Sequence, residues 1–426
     1  VQKHHQQLLI FPRRHGWLLL LVLLLEVQLR AQEAVRMSLA GDAAAAAHRQ
    51  AQATVGYYNL LWGPVALRFS AASSAEYTDN ARSSTRAAEG DLIIRPSASL
   101  QANWPVTEWN TLNLDLTAGY SFYAQSRDQN QFYVSPGSGL SFDIHVQDWV
   151  FTLHDRAHIT ENTYENPTYT GRLNEASLEN DAGITGLWDL DQTVVNIGFD
   201  HVNYTSLSGQ GVQPDSTSEN FFLNAALKIR PELLIGLEGG LGLIDYTRTG
   251  ATNRFYAVPD ALQWSAGCFS SWQVSEHLSA RLDAGHTVYS PDQRGTNALP
   301  ESGSLYFQAS VSHVVNAHVS YTLTAGHSVD FGYNGQPVDR YFVQLSPAWN
   351  FINKFQVSPS FRWEQGQQVV AHDVNYEQYT VGILTGWTLT QKLSTSMYYH
   401  WVMETSIEPS LNYTANIVGL SLNYQF

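Results

Sequence analysis

A single cysteine, Cys268, stands in a chain of 426 residues. One thiol builds neither an intramolecular disulfide framework nor a cysteine-rich zinc site, so Cys268 is expected to be a small apolar strand residue. Positive charge is scarce too. Lys and Arg number 23 against 38 Asp and Glu, a net charge of -15, and this excludes the basic surfaces that nucleic-acid binding needs. Acidic loops beside lipopolysaccharide and divalent cations are compatible with it. Past the N-terminus no apolar run reaches the ~18 residues of a membrane-spanning helix. No G-x-S-x-G, H-E-x-x-H or P-loop pattern occurs, and the histidines are scattered without metal-ligand spacing. His154-Asp155 and Asp200-His201 are sequence neighbours, and on a strand neighbours point to opposite faces. Neither an enzyme, nor a cofactor, nor a metal site is expected.

What the chain does have is alternation. In the last stretch, 418–426, Val418, Leu420, Leu422, Tyr424 and Phe426 alternate with Gly419, Ser421, Asn423 and Gln425. That is a period-two strand with one oily and one polar face. An open sheet ending this way would expose an apolar edge strand that invites aggregation. Leu420, Leu422, Tyr424 and Phe426 are therefore expected to close a barrel against residues 64–78 and to serve as its assembly signal, read by the barrel-assembly machinery. A transmembrane barrel hides its apolar residues by alternation, which accounts for a mean hydropathy of only -0.22.

The same unit repeats from Pro64 onward. Strands are expected near 64–78, 91–104, 112–122, 134–146, 149–160, 176–188, 193–205, 219–230 and 232–246, then near 260–272, 278–290, 303–314, 318–331, 339–351, 355–365, 376–388, 393–404 and 413–426. The fold class is all-β: a membrane-spanning antiparallel up-and-down barrel of about 18 strands (16–18), an even number as in bacterial single-chain barrels. Short connections alternate with long ones. The alternation puts short turns in the periplasm, long loops outside and both termini in the periplasm. Trp104, Trp109, Trp149, Trp188, Trp272, Trp349 and Trp387 all fall beside the short turns, as an interfacial aromatic girdle requires. Tyr120, Phe122, Tyr164, Tyr204, Tyr246, Tyr289, Phe331 and Trp363 lie toward the long loops and are expected to form the outer girdle.

Ahead of the barrel, residues 1–31 have the form of a secretory signal: Lys3, Arg13 and Arg14, then the apolar run Trp17 to Leu25, with cleavage near Ala31 or Ala34. Residues 32–63 are an Ala-rich periplasmic lead-in, expected to be a short helix or disordered, with no apolar stripe for a domain of its own. A plug of the kind TonB-dependent transporters carry does not fit in it.

The segment 62–80, WGPVALRFSAASSAEYTDN, resembles the opening strand of the putative β-barrel porin 2 family of outer-membrane proteins. Glu76, Tyr77, Asp79 and Asn80 match the Glu-Tyr-x-Asp-Asn-like end of that strand, and Gly63-Pro64 resembles the lead-in of members associated with exopolysaccharide. The resemblance implies an outer-membrane barrel and brings no catalytic motif. Glu76, Asp79 and Asn80 also have the form of loop caps that act through turn hydrogen bonds.

If the apolar face meets lipid, the other row lines the lumen. That row holds Arg68, Arg95, Asp115, Asp143, His145, His154, Arg156 and Glu179 in the first half, and Asp181, Asp200, Lys228, Glu238, Arg281, Asp283, Arg362 and Glu364 further on. Asp155, Asp245 and His286 depart from it, which calls for an interface position or a parity-shifting bulge. Pairing through the 146–148 turn is expected to set Asp143 opposite His154 and Ser141 opposite Arg156. Such a wall holds water and steers charged or polyhydroxyl solutes weakly. The expected function is an outer-membrane channel for small polar or saccharide solutes, surrounded by lipid and lipopolysaccharide. The alternatives are an outer-membrane component of exopolysaccharide export, with Tyr123 and Tyr289 as inner-face platforms for sugars, or a structural or adhesive surface barrel without an open pore.

Overall fold

The computed structural model describes residues 58–85, 88–160, 176–207, 215–247, 260–292, 301–331, 337–352, 354–368, 375–407, 409 and 412–426. The proposed signal 1–31, most of the lead-in and Tyr164 lie outside the described residues. Among these residues no helix is long and apolar enough to cross a membrane. Nearly all of them are strand.

Eighteen strands form the wall. They are β1 (Val65–Thr78), β2 (Asp91–Pro105), β3 (Thr111–Tyr123), β4 (Gly139–Val146), β5 (Trp149–Thr160), β6 (Ser177–Asp189), β7 (Thr193–Ser206), β8 (Ser216–Arg230) and β9 (Leu233–Tyr246). They continue as β10 (Ala261–Ser275), β11 (Leu278–Pro291), β12 (Ser302–Val314), β13 (Val319–Phe331), β14 (Pro337–Ile352), β15 (Phe355–Gln368), β16 (Asn375–Thr388), β17 (Leu393–Ser406) and β18 (Tyr413–Gln425). Each strand is antiparallel to the next, and β18 pairs with β1 from Ser70↔Gln425 to Thr78↔Ile417. The sheet is closed, which removes the free edge that an exposed amphipathic strand would otherwise present.

The seam is staggered. Below Phe69, whose carbonyl accepts from the Phe426 N–H at 3.3 Å, a strip at Leu60–Trp62 pairs with β1, with Leu60↔Leu67 and Trp62↔Val65 in register. Asn59 brackets Phe69 with two hydrogen bonds, its Nδ2 donating to the Phe69 carbonyl at 2.8 Å and its Oδ1 accepting from the Phe69 N–H at 3.0 Å. Gly63 turns the chain at φ +58°, a conformation that glycine adopts without strain. The described end of the lead-in thus holds the strip Leu60–Trp62 and the turn at Gly63.

Two details differ from the alternation. The expected strand 134–146 is broken: Gln131–Val134 pairs with the upper half of β3, and β4 pairs with the lower half only from Gly139. Ser138 fills the break, its Oγ accepting from the Thr117 N–H at 3.0 Å. The β4–β5 turn is the two residues Gln147 and Asp148, with Gln147 at φ 56° and Val146 opposite Trp149. Asp143 therefore faces Thr152, and Ser141 faces His154. This register sits two positions from the expected one, because a two-residue hairpin fixes pairing more tightly than the strand pattern does.

Burial sorts the two faces. Leu237, Leu282 and Leu305 are more than half exposed and point outward, as do Leu420, Leu422, Tyr424 and Phe426. This is the apolar band a bilayer covers. Trp104, Trp149, Trp188, Trp272, Trp349 and Trp387 stand on the same outward rows at the short-turn ends, and Trp109 is exposed in the first short turn. Trp149 and Trp188 stack on adjacent strands with centroids 5.1 Å apart. Asp155, Asp245 and His286 face outward as well, with no bulge to turn them. Asp155 accepts from Asn180 Nδ2 at 2.7 Å on that face, and His286 lies 6.1 Å from the ring of Trp264.

The parity can be tested on the closing strand. Leu420→Arg is expected to cost about 2–4 kcal/mol, the penalty of a cation on the lipid face near mid-depth. Ser421→Arg, on the inward row, is expected to cost less than about 1 kcal/mol. Denaturant midpoints of the two variants refolded in micelles provide the measurement, and equal losses would break the assignment of faces.

The inner wall as candidate functional site

The inward rows bring acids and bases together across neighbouring strands. At the seam, Glu76 of β1 pairs with Arg95 of β2 (Nη1–Oε1 3.2 Å) and accepts the hydroxyl of Tyr398 from β17. On β9 to β12, Tyr306 donates to Glu238 at 2.6 Å. Arg281 forks onto Asp283 (Nη2–Oδ1 2.7 Å) and lies over the Phe269 ring at 4.8 Å. On β14 to β16, Glu364 takes Arg340 at 3.2 Å, Arg362 at 2.9 Å and the Tyr376 hydroxyl, and is wholly buried. Next to it Gln378 Nε2 donates to Glu404 at 3.1 Å and to the Tyr413 hydroxyl oxygen at 3.3 Å. On β5 to β7, His154 Nε2 stands 3.0 Å from Asp200 and 3.6 Å from Asp181, whose other oxygen is 3.6 Å from Arg156. Buried charges persist only when paired in this way.

Glycine makes several of these reaches possible. Tyr398 lies across Gly419, which sits in register between it and Glu76. A Cβ on Gly419 would stand 2.1 Å from the tyrosine ring. Tyr306 crosses two glycines, Gly285 and Gly267, before it meets Glu238. A Cβ on either would fall within 2.4 Å of its hydroxyl. An aromatic ring laid flat on a glycine covers a backbone that no side chain shields, and its polar tip reaches a strand two or three places away.

The wall is not uniform along its length. In β18 the inward residues Tyr413, Ala415, Ile417 and Gly419 are buried, whereas Ser421, Asn423 and Gln425 are half-buried. In β8, Ser218, Asn220, Phe222, Asn224 and Ala226 are buried and Lys228 is not. The interior is packed toward the long-loop ends and open toward the short turns. Val402, Tyr413, Ala415 and Ile417 form a small apolar core in the packed half, with Tyr398 against it.

All sixteen of the charged or histidine residues assigned to the lumen row stand on inward positions. Arg68 sits low in β1 opposite Gln101, and Asp115 accepts from Gln101 at 2.7 Å. Asp143 accepts from Thr152 Oγ1 at 2.7 Å, and Glu179 is 3.8 Å from His158. At the short-turn rim His145 is exposed, and Lys228 reaches back to Asp189 and the Leu190 carbonyl.

Other expectations are corrected. Tyr204, Tyr246 and Tyr289 face inward, not toward an outer girdle, because they share parity with buried Val202, Ile244 and Thr287. Tyr123 and Tyr289 are 4% and 2% exposed, too deeply covered to stack a sugar. Asp79 and Asn80 do cap the first long loop. Asn80 Oδ1 accepts from the Ser84 N–H at 2.8 Å, and Asp79 accepts from Asn416 of β18. Glu76 belongs to the wall instead. Arg340, Glu404, Tyr306, Tyr376 and Tyr398 escaped the sequence reading, although the row on which Arg362 and Glu364 were placed was signal enough for the parity of their neighbours.

Comparison with known proteins agrees with this architecture. No curated protein matches the chain in sequence. Among solved structures, Pseudomonas aeruginosa OccK2 (OpdF) in complex with glucuronate superposes with a TM-score of 0.50 at 10% identity, over 84% of this chain and 98% of that one. OccK2 (OpdF) in a second structure gives 0.50 at 11% identity over the same shares. Acinetobacter baumannii OccAB3 gives 0.48 at 11% identity, over 84% and 99%. Identities this low show the fold alone, that of an outer-membrane barrel. Residues 60–234, which hold the Leu60–Trp62 strip and strands β1 to β8, match the family model described as Putative beta-barrel porin 2.

Proposed function

We propose that the protein is an outer-membrane channel for small polar solutes, saccharides among them, and not an enzyme. The observation that carries this reading is the closed 18-strand wall whose inward rows are largely polar, with ion pairs on strands from β1 to β15. Barrels of 16–18 strands generally enclose an aqueous channel. The family match over 60–234 supports the same reading. The packed long-loop half is the constriction, and the open short-turn half is the vestibule. Tyr and Arg on the constriction wall supply hydrogen bonds and charge for choosing among hydroxylated solutes.

In this reading residues 1–31 direct export, the chain termini lie in the periplasm, and the barrel is set in lipid and lipopolysaccharide. The outward row Leu420, Leu422, Tyr424 and Phe426, on the strand that closes the seam, is the segment the assembly machinery engages.

Purified protein in planar bilayers is expected to give discrete conductance steps, with cations favoured over anions because the chain is acidic (net charge -15). Liposomes carrying it are expected to swell in small sugars. A complete absence of conductance and swelling from folded protein would overturn the channel. Loss of surface polysaccharide on deletion, with solute uptake unchanged, would point to export instead.

A further inference from the structure

We propose that His154, Asp181 and Asp200 form a binding site for one divalent transition-metal ion, of the zinc class, on the inner wall. The three residues come from adjacent strands, so no local spacing in the chain displays them. His154 of β5, Gly183 of β6 and Asp200 of β7 lie in one register row, and Asp181 is the next inward residue of β6.

The imidazole and the Asp200 carboxylate meet only because residue 183 has no side chain. A Cβ there would stand 2.2 Å from Asp200 Oδ1 and 3.0 Å from His154 Cε1. His154 Nε2, Asp200 Oδ1 and Asp181 Oδ1 lie together within 4.8 Å. The separations from Nε2, 3.0 and 3.6 Å, are those of neighbouring ligands around one ion. Zinc bonds of about 2.0–2.2 Å to nitrogen and oxygen put adjacent ligand atoms roughly 3.0–3.6 Å apart.

Two further observations point to a cation. Among the described residues, Asp181 Oδ1 and Asp200 Oδ1 are both buried without a well-aligned hydrogen bond. Both face the same nitrogen, and one N–H cannot serve two acceptors. Orphaned buried oxygens of this kind need a partner. Acid is also concentrated here. Arg156 is the guanidinium in reach of Asp181, at 3.6 Å, while Glu179 adds a third carboxylate beside His158. An imidazole with two carboxylates selects zinc, nickel, cobalt or copper(II) over magnesium and calcium, which prefer all-oxygen sites. The imidazole is buried at 4% exposure and the carboxylates are at 24% and 15%. The wall thus supplies three ligands and leaves the remaining positions toward the lumen, open to water or a passing solute.

The test uses untagged, chelator-washed barrel in detergent micelles, titrated calorimetrically with zinc chloride. The folded wild type is expected to bind one equivalent. Binding is expected to weaken at least tenfold in His154→Gln, in Asp200→Asn and in Gly183→Ala, and to be unchanged in His158→Gln. It is also expected to weaken from pH 7.5 to pH 5.5, since a ligating imidazole must give up its proton. Heat-modifiable migration confirms that each variant is folded. If a variant does not fold, copper(II) bound to the wild type decides: its paramagnetic resonance spectrum is expected to show coupling to one imidazole nitrogen. No binding by the folded wild type, affinity equal in His154→Gln, or no nitrogen coupling would each overturn the site. Binding is measured apart from conductance, so this proposal and the channel reading fail separately.

Discussion

Glu364→Ala is expected to destabilise the barrel by about 3–5 kcal/mol, the range found when one partner of a buried ion pair is removed. Glu364 is wholly buried and holds three donors, Arg340, Arg362 and Tyr376. Arg340 is itself 5% exposed and lies over the Phe342 ring at 5.1 Å. Without the carboxylate, Arg340 would lose its Glu364 bond inside a low-dielectric wall, while Arg362, one-fifth exposed, can turn to the lumen. Glu364→Gln keeps an acceptor for Tyr376 and is expected to lose less than the alanine variant. The double variant Arg340→Met/Glu364→Met is expected to recover most of the loss, because an apolar pair of similar volume replaces a buried ion pair at little cost. Denaturant midpoints of refolded protein give all three values. A double variant no more stable than Glu364→Ala would mean that the cluster acts through packing rather than charge.

The sequence carried the wall further than it carried the wall's partners. Period-two alternation decides which residues share a face, and the inward parity of Arg281, Asp283, Arg362 and Glu364 follows from it without knowledge of any neighbour. Loop lengths order the strands, and the tryptophans mark one end. Which residues meet is a different quantity. It depends on register between strands, and the hairpin at Gln147-Asp148 moved Asp143 from His154 to Thr152. No composition signal separates a two-residue turn with Gln147 at positive φ from a four-residue one. The tyrosines differ from expectation for a second reason. Amphipathic rings suit a membrane interface, so Tyr204, Tyr246 and Tyr289 looked like girdle residues from their height alone. Their parity with Val202, Ile244 and Thr287 was the better guide. Glycine was silent in the sequence because its function here is an absence: Gly183, Gly267, Gly285 and Gly419 are places over which another strand's side chain passes.

That silence is open to a direct test at the seam, where Gly419→Val is expected to destabilise the barrel by about 3 kcal/mol or more. The added atoms would occupy the Tyr398 ring position, since even a Cβ stands 2.1 Å from it. Overpacking of a filled site costs about 1–3 kcal/mol. Displacing Tyr398 also removes its hydrogen bond to Glu76, and a bond to a charged group is worth about 1.5–3 kcal/mol. Glu76 would keep only its Arg95 partner among those described at the seam. Gly386→Val in β16 is the control, because a Cβ there meets nothing within 4 Å; its expected cost is under about 1 kcal/mol. Tyr398→Phe separates the two contributions, as it keeps the ring on the glycine and gives up the hydroxyl. Tyr398→Ala/Gly419→Val is expected to be no less stable than Tyr398→Ala, because the clash disappears with the ring. The measurement is the fraction of heat-modifiable barrel in the outer membrane together with the midpoint of unfolding in micelles. The bond joins β17 to β1 over the closing strand, so its loss should act on closure before it acts on the rest of the wall. Gly419→Val is therefore expected to raise the rate of unfolding more than the Gly386 control does, and equal rates would remove Tyr398 and Glu76 from the role of a clasp.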